Sequence, residues 1–85
     1  MLLHIGRDLA LRLQDVVIIL DRPSSETALS TREFLDISKT EGRFSGVVDE
    51  DTKSYVVTKE NVYPSPISST TLSKRAYRFR VEDYL

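Results

Sequence analysis

The stretch Lys53-Ser-Tyr-Val-Val-Thr-Lys-Glu-Asn-Val-Tyr-Pro-Ser-Pro-Ile-Ser-Ser-Thr-Thr-Leu-Ser-Lys-Arg75 constrains the fold most. Lys53 to Thr58 predicts a strand, with Tyr55 and Val57 on one face and Val56 on the other, because side chains alternate along an extended chain. Lys59-Glu60-Asn61 turns it into Val62-Tyr63. Pro64 and Pro66 have no amide to donate, so this second strand has to be an edge or stop there. Ile67 then precedes an N-cap at Ser68, with Leu72 four residues later as its staple partner. The helix is expected to run to about Ala76.

Upstream, Leu2 to Ile5 is an apolar run closed by the turn Gly6-Arg7-Asp8. Leu9, Leu11 and Leu13 alternate with Ala10, Arg12 and Gln14, the period of a half-buried strand, and Gln14-Asp15 interrupts it. Val16 to Leu20 carries β-branched residues on both faces, which predicts a central strand covered on each side. Asp21 to Ser25 reads as a loop. Ser30-Thr31-Arg32-Glu33 spells a capping box, flanked by a Leu29–Phe34 staple, although a start at Ser24 or Ser25 also fits. Phe34, Leu35 and Ile37 form the expected buried stripe of this helix, and Gly42 its end. Arg43 to Val48 predicts a strand weakened at Gly46, followed by the acidic turn Asp49 to Thr52. After the last helix, Tyr77, Phe79 and Val81 alternate with Arg78, Arg80 and Glu82, the pattern of a short terminal strand suited to a neighbouring subunit's edge. The expected fold class is α+β: a small antiparallel sheet, one packed helix and a short C-terminal helix in one domain over residues 1–76, with an extension over 77–85.

A chain of 85 residues buries a modest core. Without cysteine it has no disulfide, and a single histidine offers no zinc site, so other subunits are the expected source of added stability. The formal charge of −1 conceals a polarity: residues 21–52 carry four positive and eight negative side chains, and residues 53–80 carry six positive side chains against Glu60 alone. Such asymmetry suits a nucleic-acid face, or contact between the acidic part of one subunit and the basic part of the next. The longest apolar run, Val16 to Leu20, falls far short of the roughly 20 residues of a membrane span. The first residues lack the basic flank and cleavage site of a secretion signal, so a cytoplasmic protein is expected.

Catalytic readings find little support. The serines have only His4 as a possible base, and its apolar strand reads as structural. Gly6, Gly42 and Gly46 stand apart and make no phosphate loop. Asp49, Glu50 and Asp51 lack the ligand spacing of a calcium loop. No enzyme, cofactor or small-molecule substrate is expected. Basic groups are the better lead, because Lys74, Arg75, Arg78 and Arg80 crowd one short segment and can neutralise phosphates.

His4-Ile5-Gly6, Asp15 to Leu20, Thr31 to Leu35, Lys53 to Thr58 and Val62 to Arg75, in this order, resemble the RemA/RemB extracellular-matrix regulator family, closer to its RemB, YaaB-like branch. The resemblance spans about residues 1–76. It implies a bacterial cytoplasmic protein, DNA-binding activators of biofilm-matrix genes among the RemA-like members, and a ring assembly whose subunits are similar to LytTR-type DNA-binding domains. RemA-like members carry an arginine just before the central apolar strand, where this chain has Asp15, and two adjacent arginines before the hairpin strand, where it has Glu50 and Asp51. Carboxylates there replace attraction for phosphate with repulsion. Lys53 and Arg75 match basic positions of the family.

Two functions follow as expectations. The first is a ring-forming, DNA-binding transcriptional regulator with phosphate contacts from Lys53, Arg75, Arg78, Arg80 and Lys74, joined by Arg12 and Arg43. The second is an oligomeric scaffold or protein-interaction module without direct DNA contact, consistent with Asp15, Glu50 and Asp51.

Overall fold

The computed structural model describes residues 1–83, with side-chain surroundings through Arg78. The class is α+β, built on two antiparallel sheets rather than one. β1 (Leu2–Gly6) and β2 (Leu9–Arg12) form a hairpin. A 3-10 turn (Leu13–Asp15) leads into β3 (Val16–Asp21), which joins β4 (Ser54–Thr58) and β5 (Val62–Ser65) in the order β3-β4-β5. Between β3 and β4 lie helices α1 (Arg22–Thr27) and α2 (Leu29–Thr40), and α3 (Ser69–Asp83) follows β5.

β4 is the central strand and separates two cores. Val56 faces Leu3, Ile5, Leu11, Leu13 and Leu72, contributed by the hairpin and α3. Tyr55 and Val57 face the other way, onto Leu35 of α2 and Val62 of β5. This is the face assignment that alternation predicted. Leu3, Ile5 and Leu72 are almost wholly enclosed, and each such burial stabilises by about 1.5–3 kcal/mol. Side chains tie the hairpin to the three-stranded sheet. The Ser65 hydroxyl donates to the Ile5 carbonyl at 2.6 Å and accepts from the Ile67 amide at 3.1 Å. At Gly6, with φ of 94°, a Cβ would come within 2.7 Å of the Pro66 ring.

Several expectations change. Val16–Asp21 is an edge strand, not a central one: its second edge is unpaired among the described residues, and the register slips between Val16 and Ile18. That bulge turns Val17 and Ile18 outward, 63% and 49% exposed. Residues 21–25 are not a loop: Asp21 ends β3 and caps α1, which begins at Arg22, and its carboxylate accepts from the Ser24 amide at 3.3 Å. The chain breaks once at Ala28 and α2 begins at Leu29, so Ser30 lies within the helix and its capping box does not form. Leu35 and Ser38 form the buried stripe of α2, whereas Phe34 and Ile37 are exposed. Gly42 ends α2 as expected: the Arg43 amide donates to Ser38 and the Gly42 amide to Lys39.

Arg43 to Val48 is not a strand. Phe44 makes one parallel bridge to Val62, through Val62 N–H to Arg43 O (3.0 Å) and Ser45 N–H to Val62 O (2.9 Å). The next rung would need an amide from Pro64, which has none. The Ser68 cap holds, with its hydroxyl 3.2 Å from the Thr71 amide, but α3 runs through residues 77–83 where a strand was expected. No glycine or proline follows Pro66, and extending a nucleated helix fixes one residue per bond gained, so six alternating residues do not stop it.

Candidate nucleic-acid interface

Helical geometry redistributes the basic residues. In a strand, Arg78 would share a face with Arg80; on α3, at about 100° per residue, it joins Lys74 and Arg75. The opposite side of α3 seats Leu72 and Ala76 against the hairpin core, while Ser73 and Tyr77 turn toward β3. The basic side borders β1. There Leu3 and Ile5 point inward, so Leu2 and His4 point outward. Leu2, His4, Arg75 and Arg78 line one cleft of about 370 Å³, and the Arg75 guanidinium donates to the His4 carbonyl at 3.2 Å. His4 is exposed on β1, although its neighbours in sequence are apolar. The i, i+2 alternation around it was the signal.

The other candidates are placed differently. Arg12 faces Asp15 at 3.8 Å and Arg43 faces Glu41 at 2.9 Å, so a carboxylate partly cancels each. Lys53 is exposed just before β4, outside the cleft; its amide donates to the Ser65 carbonyl and its carbonyl accepts from the Arg22 amide. Lys74 is exposed on α3. The Arg80 side chain lies outside the described residues, as does that of Phe79. Asp15 lines a second cleft, with Lys59 and Glu60, and Glu50 and Asp51 sit on an exposed turn. Among residues 1–78, whose side chains the structure describes, no carboxylate lies within ion-pair distance of Lys53, Lys74, Arg75 or Arg78.

Two arginines that the charge pattern passed over brace the acidic turn. Arg7 pairs with Asp49, and Arg22 donates to the carbonyls of Asp49 and Thr52 while pairing with Glu26 at 2.9 Å. The Glu26 hydrogen bond raises the Arg22 pKa further above its ordinary value, against a smaller opposing effect of burial. Burial pushes the Tyr55 phenol up, only partly offset by the nearby Arg22 charge. Among the described residues there is no cluster of three or more potential metal-ligating side chains, and no helix is long and apolar enough to cross a membrane.

A different surface gathers apolar groups. The free edge of β3 is a ridge between two clefts. One, of about 400 Å³, is lined by Leu13, Val16 to Ile19, Ser73, Ala76 and Tyr77. The other, of about 310 Å³, includes Val17, Ile18, Leu20, Phe34 and Val57. Leu29 and Ile37 on α2 are also exposed, at 68% and 56%.

The RemA-like family, described as extracellular matrix regulatory protein A-like, matches residues 2–76. The chain is 36% identical over 83 residues to extracellular matrix regulatory protein B of Bacillus subtilis (strain 168), covering 96% of this chain and 99% of that protein. The chain therefore belongs to the RemA-like family of extracellular matrix regulatory proteins, on its RemB-like side.

Proposed function

We propose that this protein is a non-enzymatic, cytoplasmic transcriptional regulator of extracellular-matrix genes that binds duplex DNA through its phosphate backbone as a homo-oligomeric ring. The observation that carries the reading is the gathering of Lys74, Arg75 and Arg78 on one side of α3 beside β1. One protomer offers few cations, and repeating a weak site around a closed assembly multiplies its strength through effective concentration. The exposed Val17 and Ile18 on an unpaired strand edge support association between copies, since such an edge is a template for a second chain. Family membership supports the regulatory role.

Duplex retention by a confirmed oligomer, measured against salt, tests this. Affinity is expected to fall steeply and linearly on logarithmic axes. A confirmed oligomer that fails to bind at low salt removes the proposal.

The second reading, an oligomeric scaffold without DNA contact, is favoured by the internal cancellation of Arg7, Arg12, Arg22 and Arg43 and by Asp15, Glu50 and Asp51 where RemA-like members have arginines. It predicts a specific protein partner recovered by pull-down and no salt-dependent DNA retention.

A further inference from the structure

We infer that the cleft between β1 and α3 is a single phosphodiester site, in which Arg75, Arg78 and the His4 ring grip one phosphate group while Leu2 contacts the adjoining sugar. This deepens, and rests on, the nucleic-acid reading above. Two guanidinium groups line one cleft, and no carboxylate of residues 1–78 pairs with either. Like charges held together leave a place for an anion. The hydrogen bond from Arg75 Nη1 to the His4 carbonyl uses one of its five N–H donors and fixes the group, leaving the others for a ligand. Arg78 sits three residues along the same helix, so both reach from one direction, and His4 closes the cleft from the strand side. Leu2 also lines the cleft, an apolar surface that suits a deoxyribose better than a free inorganic ion.

A site gripping one phosphate differs measurably from two arginines touching separate phosphates. Binding of a fluorescent 20-base-pair duplex is measured by anisotropy across salt for the full chain and for Arg75→Gln, Arg78→Gln, the double variant, His4→Ala and the control Arg32→Gln. Each cleft arginine variant is expected to bind about tenfold more weakly. Because one phosphate is shared, the salt slope should fall by about 0.9 in the double variant and by much less in either single one, whose remaining arginine still neutralises it. A double variant losing about 1.8 overturns the shared site, as does full affinity in both arginine variants or in His4→Ala.

A second arm separates the cleft from the regulator reading. The phosphodiester dinucleotide of thymidine is titrated while the His4 ring and arginine side-chain NMR signals are followed. Shifts centred on His4, Arg75 and Arg78, even in a protein that ignores duplex DNA, support the site and assign it to small nucleotides. Shifts elsewhere, or none, overturn it.

Discussion

Arg7 and Asp49 are 42 positions apart in sequence, and one guanidinium nitrogen of Arg7 lies 2.9 and 2.8 Å from the two oxygens of the Asp49 carboxylate. The pair fastens the β1–β2 turn to the acidic turn before β4. Burial acts to raise the Asp49 pKa, but hydrogen bonds from the Asp51 amide, Arg7 and Thr52, together with the Arg7 charge, outweigh it and hold the group below its ordinary value. A depressed folded pKa means the contribution is complete above the unfolded value, near 3.9, and is lost as pH falls through the folded one. The wild type should therefore lose more of its melting temperature between about pH 5 and pH 3 than Asp49→Asn does. Parallel acid profiles for the two proteins would show that the pair contributes nothing in solution.

Gly6→Ala should be strongly destabilising. The new Cβ meets Pro66 Cγ at 2.7 Å and Cδ at 2.9 Å, on a backbone whose φ of 94° an L side chain rarely adopts. A loss of about 1–3 kcal/mol is expected by urea denaturation. Adding Pro66→Ala should recover the part due to the collision and leave the part due to φ. A tolerated Gly6→Ala would mean that the hairpin does not approach Pro66 this closely.

Ser65→Ala removes a buried hydroxyl with two partners. The Ile5 carbonyl loses its 2.6 Å donor and the Ile67 amide its 3.1 Å acceptor, 60 and two positions away. Leaving buried polar groups unpaired is expected to cost about 1–3 kcal/mol. Amide exchange should also rise in β1 and at Ile67, whereas a uniform change across the protein would point to a global effect.

Ile18→Lys places a charge on the open edge of β3, where the side chain is already exposed. The folded protomer should keep its circular dichroism spectrum, because a surface substitution there changes stability by no more than about 0.5 kcal/mol. Light scattering should nonetheless report a smaller particle. An assembly of unchanged mass would place the subunit contact elsewhere.

Local chemistry made some of this structure readable in advance. The alternation in Lys53–Thr58, the Ser68 cap and the glycine at the end of α2 each act within a few residues, and each was recovered. Position within a sheet is not local: Val16–Leu20 has the composition of a central strand yet lies at an edge, because burial on both faces depends on strand order. The Asp21 cap was hidden by Arg22-Pro23-Ser24-Ser25, which looks like a turn until Pro23 is seen as a first-turn helix residue. For the candidate interface, Lys74, Arg75 and Arg78 were legible as cations. Their grouping was not, since a period of two and a period of 3.6 send Arg78 to different neighbours.

The thin buried stripe of α2 has a thermodynamic consequence. This helix of 12 residues meets its own core through Leu35 and Ser38, while Leu29, Phe34 and Ile37 remain on its outer surface. Helices of this length are marginal unless packing holds them. If a second copy covers those side chains, helical order becomes a function of protein concentration. Dilution would then fray α2 before the strands separate, and its amides would exchange with solvent at rates set by how many protomers are present.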